Sequence, residues 1–207
     1  MQFGPEMREG LDRLFRWRRD VRRFRADPIP EALLDRLLAQ AATAPSVGLS
    51  QPWRWVRVET DAARSAVKAN FEAANAEALA GFDSGDAESY ARLKLAGLDQ
   101  APVHLAAFCD DATPQGKGLG ARTMPETRRY SVVCAINQLW LSARAHGLGL
   151  GWVSILDPAR VAQDLDVPED WRFIAYLCLG YAQEVHEDPE LERAGWETRR
   201  AIPAIVR

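Results

Sequence analysis

Apolar residues recur at helical spacing over residues 5–18, where Met7, Leu11, Leu14 and Phe15 fall on one face. The pattern returns over 30–42 with Leu33, Leu34, Leu37, Leu38 and Ala41, after Pro30 at the first turn. Residues 43–48 break that helix, and 55–59 alternate as a strand. Asp61 is the expected N-cap of an alanine-rich helix reaching Ala80. A turn over 81–85 and a helix from Ser84 or Asp86 to Leu95 follow, then a buried strand over 102–109. Residues 110–125, with Gly116, Gly118 and Gly120, predict a mobile loop. Residues 126–146 are apolar on nearly every face, the mark of a central helix, and Gly147 closes it. A strand over 150–156, a short helix over 158–165 and a strand over 173–181 complete the pattern. About four irregularly spaced strands among helices predict an α+β fold, three-layered around one sheet, with 1–207 as a single domain. The tail from Asp188 is poor in apolar residues until 201–206, so that run is expected to need a partner surface.

Composition narrows the function classes. The 207 residues are 47% hydrophobic and 27% charged with a net charge near −3, which gives no general attraction to nucleic acid or to an anionic membrane. No apolar run is long enough to span a bilayer. The first positions carry Glu6, Arg8, Glu9, Asp12 and Arg13 where a signal peptide needs an apolar core, so a cytoplasmic protein is expected. Cys109, Cys134 and Cys178 each stand in an apolar run and are expected to be buried, reduced thiols. No Cys-x-x-Cys occurs and His104, His146 and His186 are isolated, so no metal is expected.

Two apparent motifs fail on context and a third is absent. Gly147-x-Gly149-x-Gly151 runs helix to strand, whereas a dinucleotide turn runs strand to helix, and Trp152 stands where its last glycine belongs. Gly116-Lys117-Gly118 lacks the strand and the hydroxyl residue of a P-loop, and no Gly-x-Ser-x-Gly elbow is present. Chemistry is therefore expected to come with a ligand.

Two stretches carry the candidate chemistry. Arg13, Arg16, Arg18, Arg19, Arg22, Arg23 and Arg25 crowd thirteen positions and are opposed there only by Asp20. Guanidinium forks match phosphate oxygens bidentately, although a solvated helix end would also collect arginines. Asp20 is either an ion-pair partner or a reactive group held ionised by its neighbours. The second stretch, Gly147-Leu148-Gly149-Leu150-Gly151-Trp152-Val153-Ser154, runs into an apolar strand with one hydroxyl. A lone strand serine ordinarily bonds its own backbone.

Residues 18–24, the run Ala44-Pro45-Ser46-Val47-Gly48-Leu49-Ser50-Gln51-Pro52-Trp53, and residues 135–155 resemble the flavin-binding nitroreductase superfamily. Asp20, where ordinary members often carry Ser, is similar to the branch that makes 5,6-dimethylbenzimidazole, as are Met124-Pro125-Glu126-Thr127 and Gly151-Trp152-Val153-Ser154. The resemblance implies an α+β homodimer with intertwined termini and FMN at the interface. It implies that reduced FMN is the substrate, broken by dioxygen to 5,6-dimethylbenzimidazole, the lower ligand of cobalamin, and erythrose 4-phosphate. A separate flavin reductase would supply the reduced flavin. The implied FMN contacts are Arg18, Arg19, Asp20, Val21, Arg22, Ser46, Leu98 and Ser154. Arg18, Arg19 and Arg22 would grip the phosphate and ribityl chain, Ser46 would add a hydrogen bond, and Leu98 would flank the ring edge. Asp20 would be the acid or base, Ser154 would bond near the flavin N5, and helices over 61–97 would form a lid. Two alternatives stay open: an NAD(P)H-dependent nitroreductase or flavin reductase that recycles FMN, and a non-catalytic flavin-binding protein.

Overall fold

Four strands form one antiparallel sheet in the computed structural model, which describes residues 1–81 and 97–201. They are β1 (Trp53–Arg57), β2 (Val103–Asp110), β3 (Gly149–Val153) and β4 (Trp171–Gly180), in the order β1-β2-β4-β3. Period-two alternation divides the core between the two faces. Leu105, Ala107 and Cys109 of β2 join Ala175, Leu177 and Leu179 of β4 on one face, against Leu34, Leu37, Val132, Ile136 and Leu139. Ala106, Phe108, Tyr176 and Cys178 join Val67 and Val161 on the other.

The first helical layer is α2 (Glu31–Ala41) with α5 (Thr127–Ala145), and the second is α3 (Asp61–Ala80) with α6 (Pro158–Asp164). The remaining helices are α1 (Pro5–Trp17), α4 (Gly97–Gln100) and α7 (Glu190–Arg193). The three-layer α+β expectation is met. No helix among the described residues is long and apolar enough to cross a membrane.

Several local expectations shift. Thr60, not Asp61, caps α3: its Oγ1 accepts from the Ala63 N–H while the chain is still extended there. Asp157 caps α6 by accepting from the N–H groups of Ala159 and Arg160. This early turn towards α6 ends β3 at Val153, so Ser154 stands just beyond the strand. Residues 110–125 dock onto the turn before β1, where Gln115 Nε2 donates to Leu49 O at 2.9 Å and to Gln51 Oε1 at 3.0 Å. The turn at 81–85 and the helix ending at Leu95 fall largely outside the described residues, as does most of the final apolar run.

Two faces stay apolar and uncovered within one chain. Helix α1 buries none of its residues and exposes Met7, Leu11 and Phe15. Helix α5 exposes Tyr130, Val133 and Cys134, so Cys134 is not a buried thiol, whereas Cys109 and Cys178 are. The all-round apolar pattern of α5 therefore reports one face on the sheet and one facing outward.

Candidate active site

The arginine segment lies along the outer side of β3. Asp20 bridges Leu150 in parallel, and the Val21 N–H donates to Leu150 O at 3.1 Å. This approach needs the glycines of β3. A Cβ on residue 149 would come within 2.6 Å of Val21 Cγ2, and one on residue 151 within 2.2 Å of Val21 O. Past Val21 the segment is pinned again: Phe24 is buried, its N–H donates to Gln100 Oε1, and it bridges Ala182. The glycine run is thus a bed for the arginine segment.

Asp20 is held by that geometry. Its Oδ1 accepts from the Trp152 N–H at 2.9 Å and its Oδ2 lies 3.6 Å from Arg22 Nε. Burial in the crowded cleft floor pushes the carboxyl above the usual range. The Trp152 N–H and Arg22 oppose this, and Glu190 adds to it. Arg22 has only 11% of its side chain exposed and sits 3.9 Å from Glu190 Oε2. Its Nε and Nη1 are buried and make no hydrogen bond among the described residues. A buried guanidinium with unmet donors is costly unless something else accepts from them.

The other cations divide into free and spent. Arg23 is spent on Glu184 and Glu190. Arg19 donates to two main-chain oxygens, those of Glu187 and Arg18, and has no carboxylate partner among the described residues. Arg18 lies over the Trp140 ring, 4.8 Å from its centroid, and burial lowers its pKa. Arg18, Arg19, Arg22 and Arg199 line one space of about 620 Å³ with Trp140 and Glu190. An adjoining cleft of about 540 Å³, counted to its mouth, shares Arg19, Asp20, Arg22 and Trp140. Four guanidiniums converging where one of them has unmet donors fit a phosphate monoester, so the residues present suit FMN. No cluster of metal-binding side chains occurs among the described residues.

The expected site residues do not all gather here. Arg18, Arg19, Asp20, Val21 and Arg22 do. Ser154 is exposed past β3, two positions from Trp152, and makes no hydrogen bond among the described residues, so its hydroxyl is free. Ser46 lies in the turn before β1, where its Oγ accepts from the Gln51 N–H at 3.2 Å, and it lines neither cleft. Leu98 is buried in the second core with Phe24 and Val67, and it lines neither cleft. Its neighbour Gly97 lines a small cavity with Asp20, Gly151 and Cys178.

Sequence reasoning missed Arg199, Glu190 and Trp140. The first two come from the tail, which returns to its own chain: Glu184 and Glu190 meet Arg23, and Glu187 O accepts from Arg19. Acidic spacing in 184–190 against the basic 18–25 was the available signal.

Relatives are consistent with this geometry. The chain is 59% identical over 205 residues to the 5,6-dimethylbenzimidazole synthase of Rhodospirillum rubrum, covering 99% of this chain and 97% of that protein. It is 50% identical over 197 residues to the 5,6-dimethylbenzimidazole synthase of Rhodobacter capsulatus, covering 95% of each. Its fold matches the crystal structure of oxidized iodotyrosine deiodinase bound to FMN and 3-iodo-L-tyrosine. That match has a TM-score of 0.74 at 24% identity over 95% of this chain and 97% of that one. The pattern that defines the Nitroreductase family matches residues 15–181, and the chain belongs to that family.

Proposed function

We propose that this chain is an enzyme that binds reduced FMN and, with dioxygen, fragments it to 5,6-dimethylbenzimidazole and erythrose 4-phosphate. One observation carries the reading: among the described residues the buried Arg22 guanidinium has donors without acceptors, beside three further arginines that have no carboxylate partner there. The two synthases at 59% and 50% identity support the choice of reaction.

In this reading Arg18, Arg19, Arg22 and Arg199 hold the phosphate, and Val21 fixes their spacing through β3. The dihydroflavin supplies the electrons that dioxygen accepts. Asp20 exchanges a proton with the ribityl chain. Its raised pKa brings it nearer to neutrality, where such a group works best. Ser154 offers its unbonded hydroxyl to the ring, and Trp152 N–H keeps Asp20 aimed. Helix α3 serves as part of a lid that excludes water, and the rest of the expected lid lies outside the described residues.

The same reading includes a homodimer in the cytoplasm. The bare apolar faces of α1 and α5 support the dimer, which would also bring Ser46 to a shared interface. Leu98 acts from behind the site through Phe24. A separate reductase delivers the reduced flavin, and neither nucleic acid, membrane nor metal takes part. Purified protein given reduced FMN in air, with and without NAD(P)H, tests the assignment. Fragmentation without nicotinamide supports it, and turnover with intact FMN only when NAD(P)H is added would make the chain a reductase.

A further inference from the structure

Trp140 makes three contacts that an ordinary core tryptophan does not. It sits on α5 with part of its ring against the first core, so its position is fixed by the main body of the fold. Its indole N–H donates to Arg19 O at 3.1 Å. Its face carries the Arg18 guanidinium at 4.8 Å, and Arg18 has no carboxylate partner among the described residues. Its ring lies 6.5 Å from that of Trp152, tilted by 43°, and the Trp152 N–H is the group that binds Asp20. Trp140 also lines both spaces next to the arginines.

We propose that Trp140 is a positioning residue that holds Arg18 and the Arg19 main chain ready for a phosphate, and so sets the preference for FMN over phosphate-free riboflavin. This rests on the reading of the arginine cleft as a flavin phosphate site. The physical reason is preorganisation. A free arginine loses much rotamer freedom when it grips a ligand, and one already stacked on an aromatic face loses less. A ring face attracts the cation without competing for its N–H donors, which remain available to phosphate oxygens. A carboxylate in the same place would occupy those donors. The indole N–H adds a second restraint on the adjacent peptide, so both arginines start from one fixed backbone.

The test is titration of the wild-type chain, Trp140→Leu and Trp140→Phe with oxidised FMN and with riboflavin, followed by flavin fluorescence. Trp140→Leu, which removes the ring, is expected to weaken FMN binding about tenfold and to change riboflavin binding by less than about twofold. Trp140→Phe, which keeps a ring face and loses the N–H, is expected to recover most of the FMN affinity. If Trp140→Leu fails to fold, Trp140→Phe still decides: a loss for FMN of about threefold with riboflavin unchanged supports the role. Equal losses for both flavins, or no loss for FMN, would overturn it. A wild-type chain that binds both flavins equally, or neither, would remove the phosphate reading itself. A wild-type preference for FMN that survives in Trp140→Leu would overturn this inference alone.

Discussion

The main-chain oxygen of Val21 lies 2.2 Å from where a Cβ on Gly151 would stand. No side chain fits there, so contact between the arginine segment and β3 depends on that glycine. Gly151→Ala is expected to push the segment off the strand and to lower stability by about 1–3 kcal/mol, as overpacking does. FMN affinity should fall further than in a core variant of equal stability, such as Leu37→Val. Thermal melting with FMN titration would check both, and an unchanged affinity would mean that the segment's seat on β3 does not shape the site.

Arg22 and Arg23 are neighbours with opposite expectations. Arg22 has buried donors without acceptors, while Arg23 already serves Glu184 and Glu190. A charge-assisted phosphate contact is worth about 1.5–3 kcal/mol, so Arg22→Gln should weaken FMN binding roughly 10- to 100-fold. Arg23→Gln should change it by less than about threefold, because its guanidinium is already engaged by Glu184 and Glu190. Isothermal titration of the two variants separates the roles.

His104 gives an acid-sensitivity prediction independent of the site. Its Nδ1 pairs with the Tyr176 hydroxyl at 2.8 Å and its Nε2 with Ala101 O at 3.1 Å. Burial, helped by Arg64, pushes its pKa down from 6.5 to about 4. The folded chain therefore binds the proton less readily than the unfolded one. Stability is full above pH 6.5 and is lost as pH falls towards 4, by on the order of 3 kcal/mol from this group. Urea unfolding at pH 7.5 and 4.5 should show the loss, with a shallower pH dependence in His104→Gln.

Thiol labelling probes the uncovered helix face. Burial pushes Cys109 and Cys178 up to about 12, whereas Cys134 is exposed on α5 beside Val133. One of the three thiols should react quickly in the native monomer and all three in denaturant. A dimer built on α5 protects Cys134 at high protein concentration and releases it on dilution. Fast labelling at every concentration would place the partner elsewhere.

The layers of the fold were legible because buried faces impose periodicity: Leu34, Leu37 and Ala41 mark α2, and the apolar runs mark β2 and β4. Helix ends were less so, since Thr60 and Asp61 can both cap and only backbone geometry chooses. The arginine segment and Asp20 were visible as a charge anomaly. The purpose of Gly149 and Gly151 was not, because it depends on Val21, which is distant in the chain. Ser46 and Leu98 came from resemblance alone, and within one chain neither reaches the arginine cleft. The tail looked unpartnered because its attachment is ionic, and charge pairs leave no periodic trace.

The most direct test is chromatography of the products after reduced FMN and air are given to the wild-type chain and to Asp20→Asn. The amide can still accept from Trp152 N–H, so the variant keeps the anchor that holds residue 20 on β3. The account predicts 5,6-dimethylbenzimidazole from the wild type, and from the variant intact FMN binding with about 10²- to 10⁴-fold less product. Quantitative recovery of FMN from the wild type, or undiminished product from Asp20→Asn, would contradict it.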